Sequence, residues 1–331
     1  MIGRLATTAR IAVVGLFKVA MGMLRHPSRR AVLWAAAVAV ALGFPVAMTV
    51  ISRIDDTPDF APAQVAAGRS RAVAVSAALI GRELDVSRWR ANDPFFLPGG
   101  WLRDMPAFQL GLVGTLARVT AAMAGERGLG FGPNGPDVDL HNAAGLLKYP
   151  GTVWKFDTRT SWLPTASAEK QYRNAQRSLD RYSDRLVSGG ATIDLRAETL
   201  AAVLETMLRD IDDATAAIDH HLAAAGPAML PDFAAGTVFY GNKGRLYAQS
   251  IVARELGRDF EAVLAERRLT ESWTRMVGHL AVAASLRPRV VWAGAPDSSL
   301  IPSPLTAQGY MALKARMQGA EVLAALNIRK P

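Results

Sequence analysis

Residues 31–51 read AVLWAAAVAVALGFPVAMTVI, 21 consecutive positions without an ionisable side chain. At about 1.5 Å per residue, a helix of this length reaches roughly 31 Å, the thickness of a bilayer's hydrocarbon core. Trp34 stands near one end, where an amphipathic ring favours the headgroup level. Pro45 removes one helical hydrogen bond, a kink that membrane helices accommodate. A buried helix of a water-soluble bundle is the competing reading. It fits less well, because such helices usually carry a polar face.

The flanks give the segment a direction. Residues 1–30 contain Arg4, Arg10, Lys18, Arg25, Arg29 and Arg30 and no acid, whereas Arg53 is followed by Asp55, Asp56 and Asp59. By the positive-inside rule the N-terminus stays in the cytoplasm and everything after Ser52 is exported, into the periplasm of a Gram-negative cell. A cleaved signal peptide is the alternative, but its apolar region would normally run only about 7–15 residues, so an uncleaved signal-anchor is the better match. Residues 5–24 (LATTARIAVVGLFKVAMGML) form a weaker apolar stretch. Its flanking and internal cations project onto one arc of about 120°, as in a basic amphipathic helix lying on an anionic leaflet. A second span in a helical hairpin is the other reading, and both leave the remainder outside.

The chain has 331 residues, with 38 Lys and Arg against 29 Asp and Glu. Removing the six cations of residues 1–30 from the net charge of +9 leaves 32 against 29, or +3, for the rest. A protein that binds nucleic acid through its folded surface carries its excess charge there, so this distribution points to a membrane and away from nucleic acid. The absence of cysteine excludes disulfides, a thiolate nucleophile, Cys-ligated zinc, iron–sulfur clusters and c-type haem. Nothing in the sequence calls for a cofactor. With 50% hydrophobic and 20% charged residues, the chain is not disordered at large.

Beyond an acidic linker at 52–60, apolar positions recur at helical spacing and strand-like alternation is scarce. The pattern predicts helices near 61–87, 107–124, 137–148, 167–187, 194–224, 236–257, 259–267, 270–286 and 304–327. Asp194 and the Ser303-Pro304 pair are suited to open helices, and Gly189-Gly190 and Gly226-Pro227 to close them. Loops rich in Gly, Pro and Trp lie between, with room for a short strand near Trp154–Phe156 or Arg289–Trp292. The expected architecture is all-α: an N-terminal transmembrane helix, then an exported helical bundle over 61–331.

The first loop and the start of the next helix, WRANDPFFLPGGWLRDMPAFQ from Trp89, resemble a bacterial family, domain of unknown function number 2333. The blocks PDVDLHNAAGLLKYPG, SAEKQYRNAQRSLDRY, FYGNKGRLYA and PLTAQGYMALKARMQ resemble it in the same order. The resemblance covers most of 53–328 and implies a largely helical protein anchored in the inner membrane. It brings no catalytic residues with it.

The candidate chemistry is therefore read from the residues themselves. Trp89, Asn92, Asp93, Phe95, Phe96, Trp101 and Asp104 crowd one loop, and Trp154, Phe156 and Trp162 another. Exposed aromatics with polar neighbours could stack on the sugar rings of peptidoglycan; buried ones would simply pin the loops to the bundle. Asp137, Asp139 and His141 alternate as metal ligands would in an extended segment; in a helix, Asp137 becomes an N-cap and Asp139 a partner of the helix dipole. Ser167 and Lys170 match an S-x-x-K pattern, but no S-D-N or K-T-G accompanies it, and an N-cap serine explains it as well. His220 and His221 point about 100° apart on a helix and cannot chelate together. His279 reads as a core or interface residue. The glycine-rich run 128–135 comes after a helix and lacks the Lys-Ser/Thr of a phosphate loop. No catalytic constellation is complete. The sequence thus suggests a non-enzymatic scaffold that meets another envelope protein. A cell-wall binder or hydrolase using the aromatic loop or the Asp137 cluster, and a carrier of lipid or another hydrophobic ligand, are the other readings.

Overall fold

The apolar stretch becomes a single helix, α1 (Arg29–Ile51), with Pro45 inside it. Its window Val32–Thr49 has a mean hydropathy of 2.0, and none of it is buried. The computed structural model describes residues 29–62, 65–133, 135–156, 163, 165–224, 233–288, 291 and 303–328. The basic segment 5–24, Trp162, Trp292 and the Gly226-Pro227 stop signal lie outside them. The chain divides into two units, residues 1–51 and 52–331.

The second unit is all-α apart from one short hairpin, and the described chain is 72% helical. Its helices are α2 (Arg71–Asp85), α3 (Asp104–Ala124), α4 (Val138–Leu147), α5 (Ala168–Ser188), α6 (Ala197–Ala224), α7 (Phe233–Asp259), α8 (Glu261–Glu266), α9 (Thr270–Ser285) and α10 (Pro304–Asn327). The hairpin pairs β1 (Phe131–Gly132) with β2 (Gly135–Pro136), at the end of the glycine-rich run, while Trp154–Phe156 is not a strand.

The periodicity placed every one of these helices, and the ends differ for identifiable reasons. Helix α2 starts ten residues later than expected. Ser70 caps it, and the Asp259 carboxylate accepts from Ser70 Oγ at 2.7 Å and from the amides of Arg71 and Ala72. An anion supplied from far along the chain thus satisfies donors that the first turn leaves open. Helix α6 begins at Ala197, with Asp194 just upstream accepting from the Arg196 amide and guanidinium. Ser303 accepts from the Thr306 amide with Pro304 in the first turn, as expected.

Helix α3 is also long and apolar enough to cross a bilayer, but 67% of it is buried in the bundle, so it is the core helix. It packs most extensively on α7, and glycines make this contact a backbone one. A Cβ at Gly111 would stand 2.0 Å from the Gly241 carbonyl oxygen, and one at Gly244 would stand 2.0 Å from that of Phe108. Around this axis α2 packs on α5 and α7, α4 on α3 and α5, and α10 on α6 and α9. Phe108, Leu112, Leu116, Leu179, Tyr182, Leu204, Tyr247 and Ile251 belong to the single large apolar core they enclose.

The stretch expected as a linker is part of this unit. Asp56 is buried, and its carboxylate takes the Lys243 ammonium at 2.7 Å and the Arg287 guanidinium. Thr57 O accepts from the Tyr247 hydroxyl, and the carbonyls of Pro58 and Phe60 accept from Arg254. Residues 56–60 therefore run along α7 from Lys243 toward Arg254. Opposite charges at Asp56 and Lys243 need each other once desolvated, and this fixes a segment that its polarity alone would leave in water.

Candidate functional site

The aromatic loop separates into anchors and an exposed turn. Trp89 is buried, donates Nε1–H to Gly151 O at 2.8 Å and meets Tyr172 edge-on at 5.0 Å. Asn92 is buried too, its amide donating to Val153 O and to the Glu169 carboxylate. Asp93 pairs with Arg90 at 3.3 Å. Trp89 and Asn92 thus hold loop 88–103 against residues 151–153, and Asp93 braces its own loop. Asp104 opens α3, where a carboxylate suits the positive end of the helix dipole.

Between Asp93 and Asp104 the chain closes a tight turn. A Cβ at Gly99 would overlap the Asp93 carboxylate at 1.9 Å, and one at Gly100 would lie 2.5 Å from Pro94 O. Trp101 Nε1 donates to Phe95 O across it. The result lifts Phe95, Phe96 and Trp101 outward, 78%, 57% and 62% exposed, with Phe156 beside them at 51%. Phe95, Phe96, Trp154 and Phe156 form a chain of edge-to-face rings with centroids 5.4 to 6.0 Å apart. Lys155 Nζ stands 5.2 Å over the Phe156 ring. An exposed apolar cluster of this kind marks a contact surface.

A groove of about 660 Å³ opens along α3, floored by Val113, Ala117 and Ala121 and walled by Leu147, Tyr172 and Thr206. That is a volume suited to a drug-sized molecule or a short peptide segment. Arg118 lies in its wall and pairs with the buried Asp210, which also accepts from Thr115 Oγ1 at 2.5 Å and Gln249 Nε2 at 2.8 Å. Arg118 Nε has no hydrogen-bond partner among the described residues, and Lys148 stands exposed at the rim. An apolar floor with cationic donors can seat an apolar chain that ends in an acceptor or anion.

The expected metal cluster is dispersed. Asp137 is the N-cap of α4, accepting from the amides of Asp139 and Leu140. Both carboxylates are held by Arg185, and Asp139 also accepts from Arg181 at 2.9 Å, while His141 is exposed. Among the described residues no group of three His, Asp or Glu side chains could hold a metal ion. Two carboxylates facing arginines have no charge left to offer a divalent cation. Ser167 stands at the N-cap of α5 with Lys170 exposed and Glu169 engaged by Asn92. His279 is half-buried, and burial together with Lys314 holds its imidazole below the usual value.

Sequence reasoning missed a buried polar system that joins α2, α3 and α7 to the start of the aromatic loop. Arg82 pairs with Glu83 at 2.8 Å and donates to the Tyr247 hydroxyl. Glu83 accepts from Gln109, whose amide also donates to Arg88 O and accepts from the Arg90 amide. Burial pushes the Glu83 carboxyl up and the Tyr247 phenol up to about 12. One clue was available, and it points to the Asp56 clamp: Phe239, Lys243 and Tyr247 recur every four residues, so a cation shares a helix face with two aromatics and needs an anion there. No protein-family model, curated protein or solved structure matches this chain.

Proposed function

We propose that this protein is a scaffold of the bacterial cell envelope, anchored in the inner membrane by α1 with its N-terminus in the cytoplasm and its bundle in the periplasm. The observation that carries the reading is the clamp on residues 56–60: the chain soon after the apolar helix is fastened into the bundle by the buried Asp56–Lys243 pair and by hydrogen bonds from Tyr247 and Arg254. A bundle whose first segment is held this way presents fixed surfaces, as a scaffold requires. The α3 groove, with Arg118 and Lys148, suits a partner's apolar segment ending in an acceptor. On the strength of its ordered blocks, we also assign the chain to the domain-of-unknown-function family 2333.

A photo-crosslinking residue at Leu110, exposed on the groove, tests this in cells. The expected result is a reproducible adduct that Val187, exposed at the far end of α5, does not give. Absence of any adduct at Leu110 in a well-expressed protein overturns the scaffold reading. A reporter fused after Pro331 and active only in the cytoplasm overturns the topology.

A peptidoglycan-binding role is the second reading, favoured by the exposure of Phe95, Phe96 and Trp101. Against it, Asn92 and Asp93, the polar groups that would accompany stacked sugars, point inward. Loss of pelleting with purified sacculi in Trp101→Ala would establish it.

A further inference from the structure

Helix α10 has two apolar faces. One, with Leu305, Ala312, Val322 and Leu326, is buried in the bundle, where α10 packs on α6, α7 and α9. On the other, Tyr310, Leu313 and Met317 are 54%, 52% and 60% exposed, and Ala320 and Ala324 continue the line. The outer face of a bundle helix is ordinarily polar. Positions 310, 313, 317, 320 and 324 are spaced by three and four residues in turn, the recurrence that seats one helix along another. Two charged side chains flank this line on one side. Lys314 Nζ stands 4.6 Å over the Tyr310 ring, and Glu321 is exposed two turns further on. On the other flank, Arg316 is already engaged by Asp212 at 2.8 Å.

We propose that two copies of this chain pair through the outer face of α10, the two helices running antiparallel. A two-fold contact requires a surface complementary to itself, and one register of α10 meets that requirement in both size and charge. Met317 then lies opposite the partner's Ala320, and Leu313 opposite the partner's Ala324, so each large side chain enters the space above a small one. The same register brings Lys314 against the partner's Glu321, and by symmetry Glu321 against the partner's Lys314, in the flanking positions where helix pairs place their ion pairs. A parallel pair would instead stack Met317 on Met317 and Ala320 on Ala320, crowding one layer and leaving the next empty. An unrelated partner gives no reason for acid and base to be matched across a single helix. The contact is confined to the bundle and needs no position for α1. A seam of about two heptads is at the small end of specific interfaces, so the dimer is expected to be reversible.

Site-directed crosslinking tests the pairing, because the chain has no native cysteine. The full-length protein in detergent carries Ala320→Cys, Tyr310→Cys or Val187→Cys and is treated with a short bis-maleimide. In the antiparallel register the two copies of position 320 stand about 5 Å apart along the axis, whereas those of position 310, opposite 327, stand about 26 Å apart. Ala320→Cys should therefore give a covalent dimer, and Tyr310→Cys and the exposed Val187→Cys on α5 should not. Adding Lys314→Glu or Glu321→Lys to Ala320→Cys sets like charges against each other and should lower the yield severalfold. Both together exchange the charges and should restore it, which shows that the single variants lost a contact and not the fold. No dimer at 320 overturns the proposal, as do equal yields at 310 and 320, which indicate a parallel seam, or at all three positions, which indicate unspecific association. A yield at 320 that ignores the charge variants rules out this register. If the purified protein gives no dimer while Ala320→Cys is captured on a different protein in cells, the face belongs to that protein and self-pairing is wrong.

Discussion

Lys243 Nζ lies 2.7 Å from Asp56 Oδ2, and each side chain is only 2% exposed, although the two residues are 187 positions apart. The ammonium also donates to Leu286 O. One ion pair thus ties the residue five positions beyond the apolar helix to the middle of α7 and the end of α9.

Removing one partner of this pair is expected to cost more than removing both. Asp56→Asn leaves a buried ammonium without its anion, a loss of roughly 3–5 kcal/mol. Adding Lys243→Met should restore a large part of it. Urea unfolding of the four proteins of the double-mutant cycle measures the coupling, and additive losses would show the pair to be incidental.

The same pair sets an acid limit. Burial by itself raises the Asp56 carboxyl, but hydrogen bonds from Arg287 and Lys243 outweigh it and hold the folded-state value below that of an ordinary aspartate. The folded state therefore binds fewer protons between the two values. The stabilisation is complete above the unfolded value of about 3.9 and disappears as the pH falls through the folded one. A nitroxide on Asp59→Cys should be immobile at neutral pH and become mobile only below about pH 4. Mobility that does not change with pH would contradict the lock.

Gly244→Ala and Gly111→Ala should each destabilise by about 1–3 kcal/mol or more, because the added methyl meets a backbone carbonyl that cannot rotate away. Gly145→Ala, where a Cβ meets nothing within 4 Å, serves as the control and should be neutral or slightly stabilising. Thermal unfolding of the three variants distinguishes them.

The two halves of the aromatic loop should respond oppositely to truncation. Asn92→Ala strands the Val153 carbonyl and the Glu169 carboxylate, for a loss of about 1–3 kcal/mol. Phe95→Ser, at an exposed position, should change stability by less than about 0.5 kcal/mol. Equal losses in chemical unfolding would mean that the exposed turn is part of the core.

Metal analysis checks the reassigned cluster. The purified protein should carry no stoichiometric zinc, and His141→Ala should leave metal content unchanged. Arg185→Ala should cost about 1–3 kcal/mol by leaving Asp137 and Asp139 facing each other without their shared cation. Stoichiometric metal lost on His141→Ala would reverse the assignment.

The sequence by itself determined what is local. Twenty-one uncharged positions make an apolar helix regardless of the later chain, and the 3.6-residue recurrence of Leu, Ala and Val placed the later α-helices among the described residues, because both depend only on neighbours along the chain. Ser303 before Pro304 and Asp137 before Val138 marked helix starts for the same reason. Tertiary structure decided which polar residues are spent on the fold. Asp56 looked like linker and is core; Asn92 and Asp93 looked like ligands and are braces; Asp137 and Asp139 looked able to bind a metal and bind arginines. Apart from Asp93, whose partner Arg90 is three residues away, each outcome depends on a partner 42 to 231 positions away. A charged or amide side chain has the same hydrogen-bonding capacity in water or in a core, and only the long-range pairing that the packed helices impose selects between them.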